Sequence, residues 1–234
     1  MVAGLSTEPE ILIRNPQLRQ SAITKMTADL SLELELWQAG YRAVAGVDEA
    51  GRGAWAGPVV AAAAILPADP NVLAPLLGQV DDSKRLTPVA RERAFDRIQA
   101  YALTVGLGFG AVEEIEGAGI LAATKAAMAR ALAGLAPPPD FVLLDYLTLR
   151  DLPCPQRGVT HGDALSLSIA AASIVAKVTR DRWMVQQETR YPGYGFGRHK
   201  GYGTEQHRAA LEWLGPCPLH RRSFRPVSAA SQGH

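Results

Sequence analysis

The chain has 234 residues, 47% hydrophobic, 20% charged and 6% aromatic, with a formal net charge of +1. That is enough apolar material for one substantial core, and one compact domain is the default expectation. The longest apolar stretch, Ala56 to Leu66, is broken by Gly57 and Pro58 and falls well short of the roughly 20 residues a membrane helix needs. The N-terminal residues lack the basic region and apolar run of a secretion signal, which predicts a cytoplasmic protein. Cys154 and Cys217 are the only cysteines and have no partner at metal-ligand spacing, so free thiols are expected.

Residues 1–26 show no sustained periodicity and read as a flexible extension; 27–226 read as the folded domain and 227–234 as a flexible tail. Thr27 to Ala39 reads as a helix, followed by an apolar strand from Ala43 to Val47 that runs into Asp48 and Glu49. A second strand, Gly57 to Leu66, follows a glycine-rich connection, the pattern of an antiparallel hairpin. Thr87 and Pro88 supply a cap and a first-turn proline for a helix through Tyr101. In the next strand, Val105 to Val112, Gly106, Gly108 and Gly110 alternate; the spacing is wrong for a dinucleotide fingerprint and predicts close packing instead. Ile120 to Leu135 reads as a helix. Phe141 to Leu144 is a wholly apolar strand ending on Asp145, a long helix runs from about Asp163 to Glu188, and a last one from Thr204 to Leu214. The order describes an α/β fold, a mixed β-sheet with packed α-helices and a helical C-terminal region.

Acid sits where acid is costly. Asp48 and Glu49 lie between Val-Ala-Gly-Val and Ala-Gly, Asp145 ends Phe-Val-Leu-Leu, and Asp163 precedes an apolar helix. A buried carboxylate needs a partner. Local explanations exist for each: Asp163 as a helix cap, Asp145 as the start of a turn, Glu49 paired with Arg52. Together, however, strand ends and a helix start are where α/β active sites assemble, and four acids without a matching lysine cluster imply a divalent metal, Mg²⁺ or Mn²⁺. Asp48 and Glu49 point to opposite faces of a regular strand, so sharing one site requires a local departure from strand geometry. From Ala176 to Pro226 there are ten Lys and Arg against four Asp and Glu, a basic stretch suited to a polyanion or to a solvated face. The five histidines show no ligand spacing and are expected to be structural or exposed.

The motifs Gly46-Val-Asp-Glu-Ala-Gly-Arg-Gly53, Asp82-Ser-Lys84, Leu144-Asp145, Gly162-Asp163, Ser168-Ile-Ala-Ala-Ala-Ser-Ile-Val-Ala-Lys177 with Arg180-Asp181, and His199-Lys-Gly-Tyr-Gly-Thr204 resemble those of the ribonuclease HII family, the type 2 ribonucleases H. The resemblance runs from about Leu34 to Phe224. It implies a ribonuclease H-like fold, a metal site of Asp48, Glu49, Asp145 and Asp163, and hydrolysis of the RNA strand of RNA/DNA hybrids and of single ribonucleotides in duplex DNA. It also implies that Tyr202 stacks on the sugar after the ribonucleotide. Gly51, Arg52 and Gly53 offer backbone amides to a 2′-hydroxyl, and Lys84 and Arg52 are candidates for phosphate contacts. The related ribonuclease HIII carries a glutamate as fourth acid and an extra N-terminal domain, for which the roughly 40 residues ahead of this core are too few. A monomer is expected. Two other readings compete: a DNA nuclease or resolvase on the same fold, and a non-enzymatic nucleic-acid-binding protein whose acids are structural.

Overall fold

The computed structural model describes residues 27–231. Five strands form one sheet: β1 (Val44–Ala50), β2 (Val59–Ile65), β3 (Thr104–Gly110), β4 (Phe141–Asp145) and β5 (Gln156–Val159), in the order β3-β2-β1-β4-β5. β1, β2 and β3 pair antiparallel in a meander, and β4 and β5 continue the sheet parallel to β1. The expected hairpin and mixed sheet are therefore present. The predicted strand Ala43 to Val47 starts one residue later and runs three residues further, through Asp48 and Glu49. β5 was not expected from sequence, since Gln-Arg-Gly-Val is short, half polar and lies at a sheet edge.

Nine helices lie among the described residues: α1 (Ser31–Gln38), α2 (Pro70–Leu73), α3 (Pro88–Tyr101), α4 (Val112–Ala118), α5 (Ile120–Ala133), α6 (Leu167–Arg190), α7 (Phe196–His199), α8 (Glu205–Leu214) and α9 (Arg225–Ser231). α3 starts as its sequence dictates, with Thr87 Oγ1 accepting the Ala90 N–H at 3.2 Å and Pro88 in the first turn. α6 covers one face of the sheet, packing its apolar half against Val44, Ala62, Ala64 and Leu143. α5 covers the other, against Ala45, Val47, Ala61, Ala63, Val142 and Leu144. The alternating glycines of β3 serve this layer: a Cβ at Gly106 or Gly108 would fall 2.0 Å from a carbonyl oxygen of α5. Each fully buried Leu, Ile or Val contributes roughly 1.5–3 kcal/mol of the cohesion between layers.

Three expectations are corrected. The first helix begins at Ser31, not Thr27, because Asp29 forms an isolated bridge with Ser166. The predicted helix from Asp163 divides into a short 3₁₀ turn, Gly162–Ala164, and α6, which is capped by Ser166 through its Oγ contact with the Ile169 N–H at 3.2 Å. The tail expected to be flexible from Val227 is helical from Arg225 to Ser231, because the Val227 side chain is completely buried. The expected extension, 1–26, lies outside the described residues, as do 232–234. Both cysteines are free, and among the described residues no helix is long and apolar enough to cross a membrane.

Candidate active site

Parallel pairing of β1 with β4 brings Val47 opposite Leu144, so the next residues, Asp48 and Asp145, end up side by side at the same end of the sheet. Strand alternation does the rest. Val44 and Phe141 face α6, and Asp48 and Asp145 share their parity, so both carboxylates point toward the start of that helix. The 3₁₀ turn ahead of α6 delivers Asp163. Carboxylate oxygens of Asp48, Asp145 and Asp163 all lie within 4.8 Å of one another. The turn is held from beneath: buried Glu33 of α1 accepts hydrogen bonds from the Ser168 N–H at 2.9 Å and the Ser166 hydroxyl at 2.5 Å.

Glu49 stands differently. The β1–β2 ladder is regular through Asp48↔Ala62, Glu49↔Ala61 and Ala50↔Val60, so the backbone departure that a shared position demanded does not occur. Glu49 instead lies at the rim of the same cleft, with Arg52 Nη1 3.0 Å from its Oε1. Of the local alternatives, the Glu49–Arg52 pair is thus real, while helix capping by Asp163 is not. Asp145 Oδ1 accepts the Gly162 N–H at 2.8 Å, which ties β4 to the turn that carries Asp163.

Burial first, then the charges of Glu49 and Asp145, push the Asp48 carboxyl well above the usual carboxylate range. Burial also raises Glu49, and burial with the Asp163 charge raises Asp145. The Lys84 ammonium, on an exposed side chain, reaches Asp163 Oδ2 at 3.3 Å and Arg52 pairs with Glu49, so among the described residues Asp48 and Asp145 are the two acids of the site without an ion-pair partner. An all-oxygen donor set, crowded and short of positive charge, fits a hard divalent cation.

The cleft has a volume of about 410 Å³, and its lining includes every remaining candidate from the sequence: Gly51, Arg52, Gly53, Lys84 and Tyr202. Tyr202 is flanked by Lys177 Nζ, 5.0 Å from its ring centroid, and by the Arg180 guanidinium at 5.2 Å. Ser83, Thr160, His161, Ser173 and Lys177, to which the sequence assigned no role, line the cleft as well. Ser173 donates to Ser83 Oγ at 3.0 Å, and its hydroxyl beside Asp48 favours the charged carboxylate. A signal for two of them existed: Ser173 and Lys177 are polar and four apart in the otherwise apolar half of α6, and so share one helix face.

The two glycines of the loop after β1 differ in their surroundings. Gly51 has φ +90°, and a Cβ there would sit 1.9 Å from Arg180 Nε. Gly53 has an ordinary φ, and a Cβ there would meet nothing within 4 Å. The space beside Gly53 is open, as it is at Gly40, Gly78, Gly117 and Gly119, and a Gly53→Ala substitution tests whether a ligand uses it. Gly51→Ala is accordingly expected to lose roughly 1–3 kcal/mol from the backbone alone, with the clash in addition. Gly53→Ala should keep or slightly raise the melting temperature, by up to ~1 kcal/mol of stability, while losing cleavage. Paired thermal melts and cleavage rates check this, and a Gly53→Ala variant with full activity would remove the ligand from that space.

Three of the histidines, given no role from sequence, form a structural cluster behind Tyr202. His220 Nδ1 accepts the Cys217 N–H at 3.0 Å, so its proton is on Nε2 and is donated to His207 Nε2, also at 3.0 Å. The His207 proton is then on Nδ1 and is donated to the Tyr202 carbonyl at 2.9 Å. His199 stacks on His207 at 4.3 Å. An added proton would set two N–H groups head to head in a buried place, and burial lowers both His207 and His220 to about 4. Because the folded values lie below the ordinary 6.5, the stability they contribute is complete above 6.5 and is lost as pH falls through 4. The expected slope in that window is up to ~1.4 kcal/mol per pH unit for each histidine. The raised Asp48, Glu49 and Asp145 act in the opposite sense, so the measurement is the difference in urea stability between pH 7 and 5 for wild type and for His207→Asn. An equal difference in both would exclude the histidines from the effect.

A family model described as Ribonuclease HII matches residues 45–227. The chain is 53% identical over 202 residues to a ribonuclease HII of Chloroflexus aggregans, covering 86% of this chain and 95% of that protein. The chain belongs to the ribonuclease HII family. It is 51% identical over 210 residues to the ribonuclease HII of Geobacillus kaustophilus, covering 89% of this chain and 78% of that one. Among solved structures, ribonuclease H2 from Pyrococcus horikoshii superposes with a TM-score of 0.63 at 26% identity, over 81% of this chain and 97% of that chain. The fold is ribonuclease H-like. As a ribonuclease HII the chain is a metal-dependent endoribonuclease acting on the RNA of RNA/DNA hybrids, with the acidic triad as a site able to hold metal.

Proposed function

We propose that this ribonuclease HII cuts not only RNA within hybrids but also a single ribonucleotide embedded in duplex DNA, on its 5′ side, leaving a 3′-hydroxyl and a 5′-phosphate. The observation that carries the reading is the convergence, on one cleft, of the Asp48–Asp145–Asp163 cluster, the Gly51–Arg52–Gly53 loop and Tyr202. Asp48, beside both Glu49 and Asp145, would be a ligand common to two cations, with Asp145, Asp163 and Glu49 completing the set that would hold them. A pair of Mg²⁺ or Mn²⁺ ions bound there supplies nucleophile activation and neutralises charge at the leaving oxygen.

The remaining work belongs to the chain's own groups. The Arg52 and Gly53 amides approach a 2′-hydroxyl, which alone distinguishes the two sugars. The Tyr202 ring packs on the following deoxyribose, where a second 2′-hydroxyl would crowd it. Arg52 and Lys84, both exposed at the cleft, contact phosphates. The same reading takes the enzyme to be a cytoplasmic monomer.

A resolvase reading is separated by substrate, and the end chemistry by product analysis. A 5′-labelled duplex with one ribonucleotide should yield a fragment ending in a deoxynucleotide 3′-hydroxyl that a ligase or polymerase accepts. A fragment ending in the ribonucleotide, or in a 3′-phosphate, would overturn the assignment of the cut.

A further inference from the structure

Arg180 of α6 and Arg221, between α8 and α9, are completely buried, and no carboxylate is in ion-pair contact with either among the described residues. Every guanidinium nitrogen instead donates to a backbone carbonyl. Arg221 takes Gly57 O through Nε at 2.9 Å, Arg52 O at 2.9 Å and Gly51 O at 2.7 Å. Arg180 takes Pro58 O through Nε at 2.8 Å, Ala56 O at 2.9 Å and Lys200 O at 2.9 Å. Two buried cations without counter-ions are a costly way to hold a loop together, so what they do to the loop is informative.

The peptide group is planar and trans, so a carbonyl turned inward leaves the next N–H pointing outward. With Gly51 O and Arg52 O drawn onto Arg221, the Arg52 and Gly53 amides face the cleft, and neither is used in a backbone hydrogen bond. A cation on the carbonyl side also polarises each peptide toward a stronger N–H donor. Arg180 reaches further. It holds Ala56 and Pro58 behind the loop, grips Lys200 two residues before Tyr202, and lies 5.2 Å from the Tyr202 ring. The Trp55 N–H donates to Gly201 O at 2.8 Å along the same seam. Gly51 is a glycine because Arg180 occupies the space its Cβ would fill. An ammonium also has three donors, but on a single nitrogen; carbonyls spread over the three nitrogens of a guanidinium match its planar fork, so lysine is no substitute.

We infer that Arg180 and Arg221 are positioning residues that fix the Arg52 and Gly53 amides and the Tyr202 ring in one register, and thereby set selectivity for a ribonucleotide. The inference rests on the reading that this loop and Tyr202 inspect the ribose. Arg221→Lys should lower kcat on a single-ribonucleotide duplex by at least ~10-fold, with KM changed by less than ~3-fold, since small misplacements cost rate more than phosphate-based affinity. Arg180→Lys should also lose the preference for one ribonucleotide over four in a row, and adding Tyr202→Ala to it should cost little more, because both act on one contact.

The experiment measures kcat and KM for wild type, both lysine variants, Tyr202→Ala and the Arg180→Lys/Tyr202→Ala double variant on duplexes with one and with four ribonucleotides. Folded lysine variants with wild-type kcat and preference, or losses fully additive with Tyr202→Ala, would overturn the inference. A harmless Tyr202→Ala would instead sink the underlying reading. Should a lysine variant fail to fold, hydrogen exchange in metal-free wild type still decides. The Arg52 and Gly53 amides should exchange freely and become protected by the single-ribonucleotide duplex but not by its all-DNA counterpart. Protection in the free protein would show that they do not face the cleft.

Discussion

Asp48→Asn and Asp145→Asn are each expected to reduce Mg²⁺-dependent cleavage of an RNA/DNA hybrid by ~10³-fold or more while leaving the fold intact. Each removes a ligand charge from a cluster whose metal contributes several kcal/mol to the transition state, at 1.36 kcal/mol per decade of rate. The structural cost is small, because burial and like charges already push both carboxyls up, Asp48 most of all. Relieving that repulsion should leave the melting temperature without metal unchanged or raised. Mg²⁺ should raise the wild-type melting temperature through preferential binding to the folded state, and raise it less in either variant. Thermal melts with and without chelator, beside cleavage rates, test both halves; an Asp48→Asn enzyme with near wild-type rate would remove this residue from the site.

Tyr202→Ala carries the second large effect, a loss of about 10–100-fold in cleavage of a single-ribonucleotide duplex, on the order of a stacking contact of 1–3 kcal/mol. The ring is held between Lys177 and Arg180, and its backbone carbonyl is fixed by His207, so truncation removes a placed surface and not a mobile one. Affinity for an all-DNA duplex should change by less than ~3-fold, because phosphate contacts remain. Parallel binding and cleavage titrations separate the two; equal losses in both would make Tyr202 a general affinity residue.

What the sequence made legible was whatever apolar periodicity and isolated acids express locally. The strand Phe-Val-Leu-Leu ending on Asp145, the capped helix at Thr87–Pro88 and the β1–β2 hairpin follow from their own residues. β5 escaped because it is short, half polar and at a sheet edge, and α4 because its buried face is only Val112 and Ile115; its start, Glu114 accepting the Ala111 N–H at 2.9 Å, is a local cap that apolar periodicity does not reveal. The separation of Glu49 from the three-acid cluster depended on whether β1 stayed regular, which only its ladder with β2 decides. The basic C-terminal stretch misled in one respect. Arg180 and Arg221 counted toward a polyanion-binding face but are buried beneath the loop after β1, and burial, with the neighbouring Arg180 charge, lowers Arg221 to about 9. Charge counting cannot tell a solvated guanidinium from one that organises backbone carbonyls.

Cleavage of a DNA duplex carrying one ribonucleotide, compared with its all-DNA counterpart, in Mg²⁺ or Mn²⁺ and in excess chelator, tests the metal site and the reading of the sugar together. The expected result is a single cut 5′ to the ribonucleotide, only with metal, and no cut in the all-DNA duplex. Cleavage that survives chelator would contradict the carboxylate site, and failure to cut the single-ribonucleotide duplex, or equal cutting of the all-DNA one, would contradict the reading of the sugar.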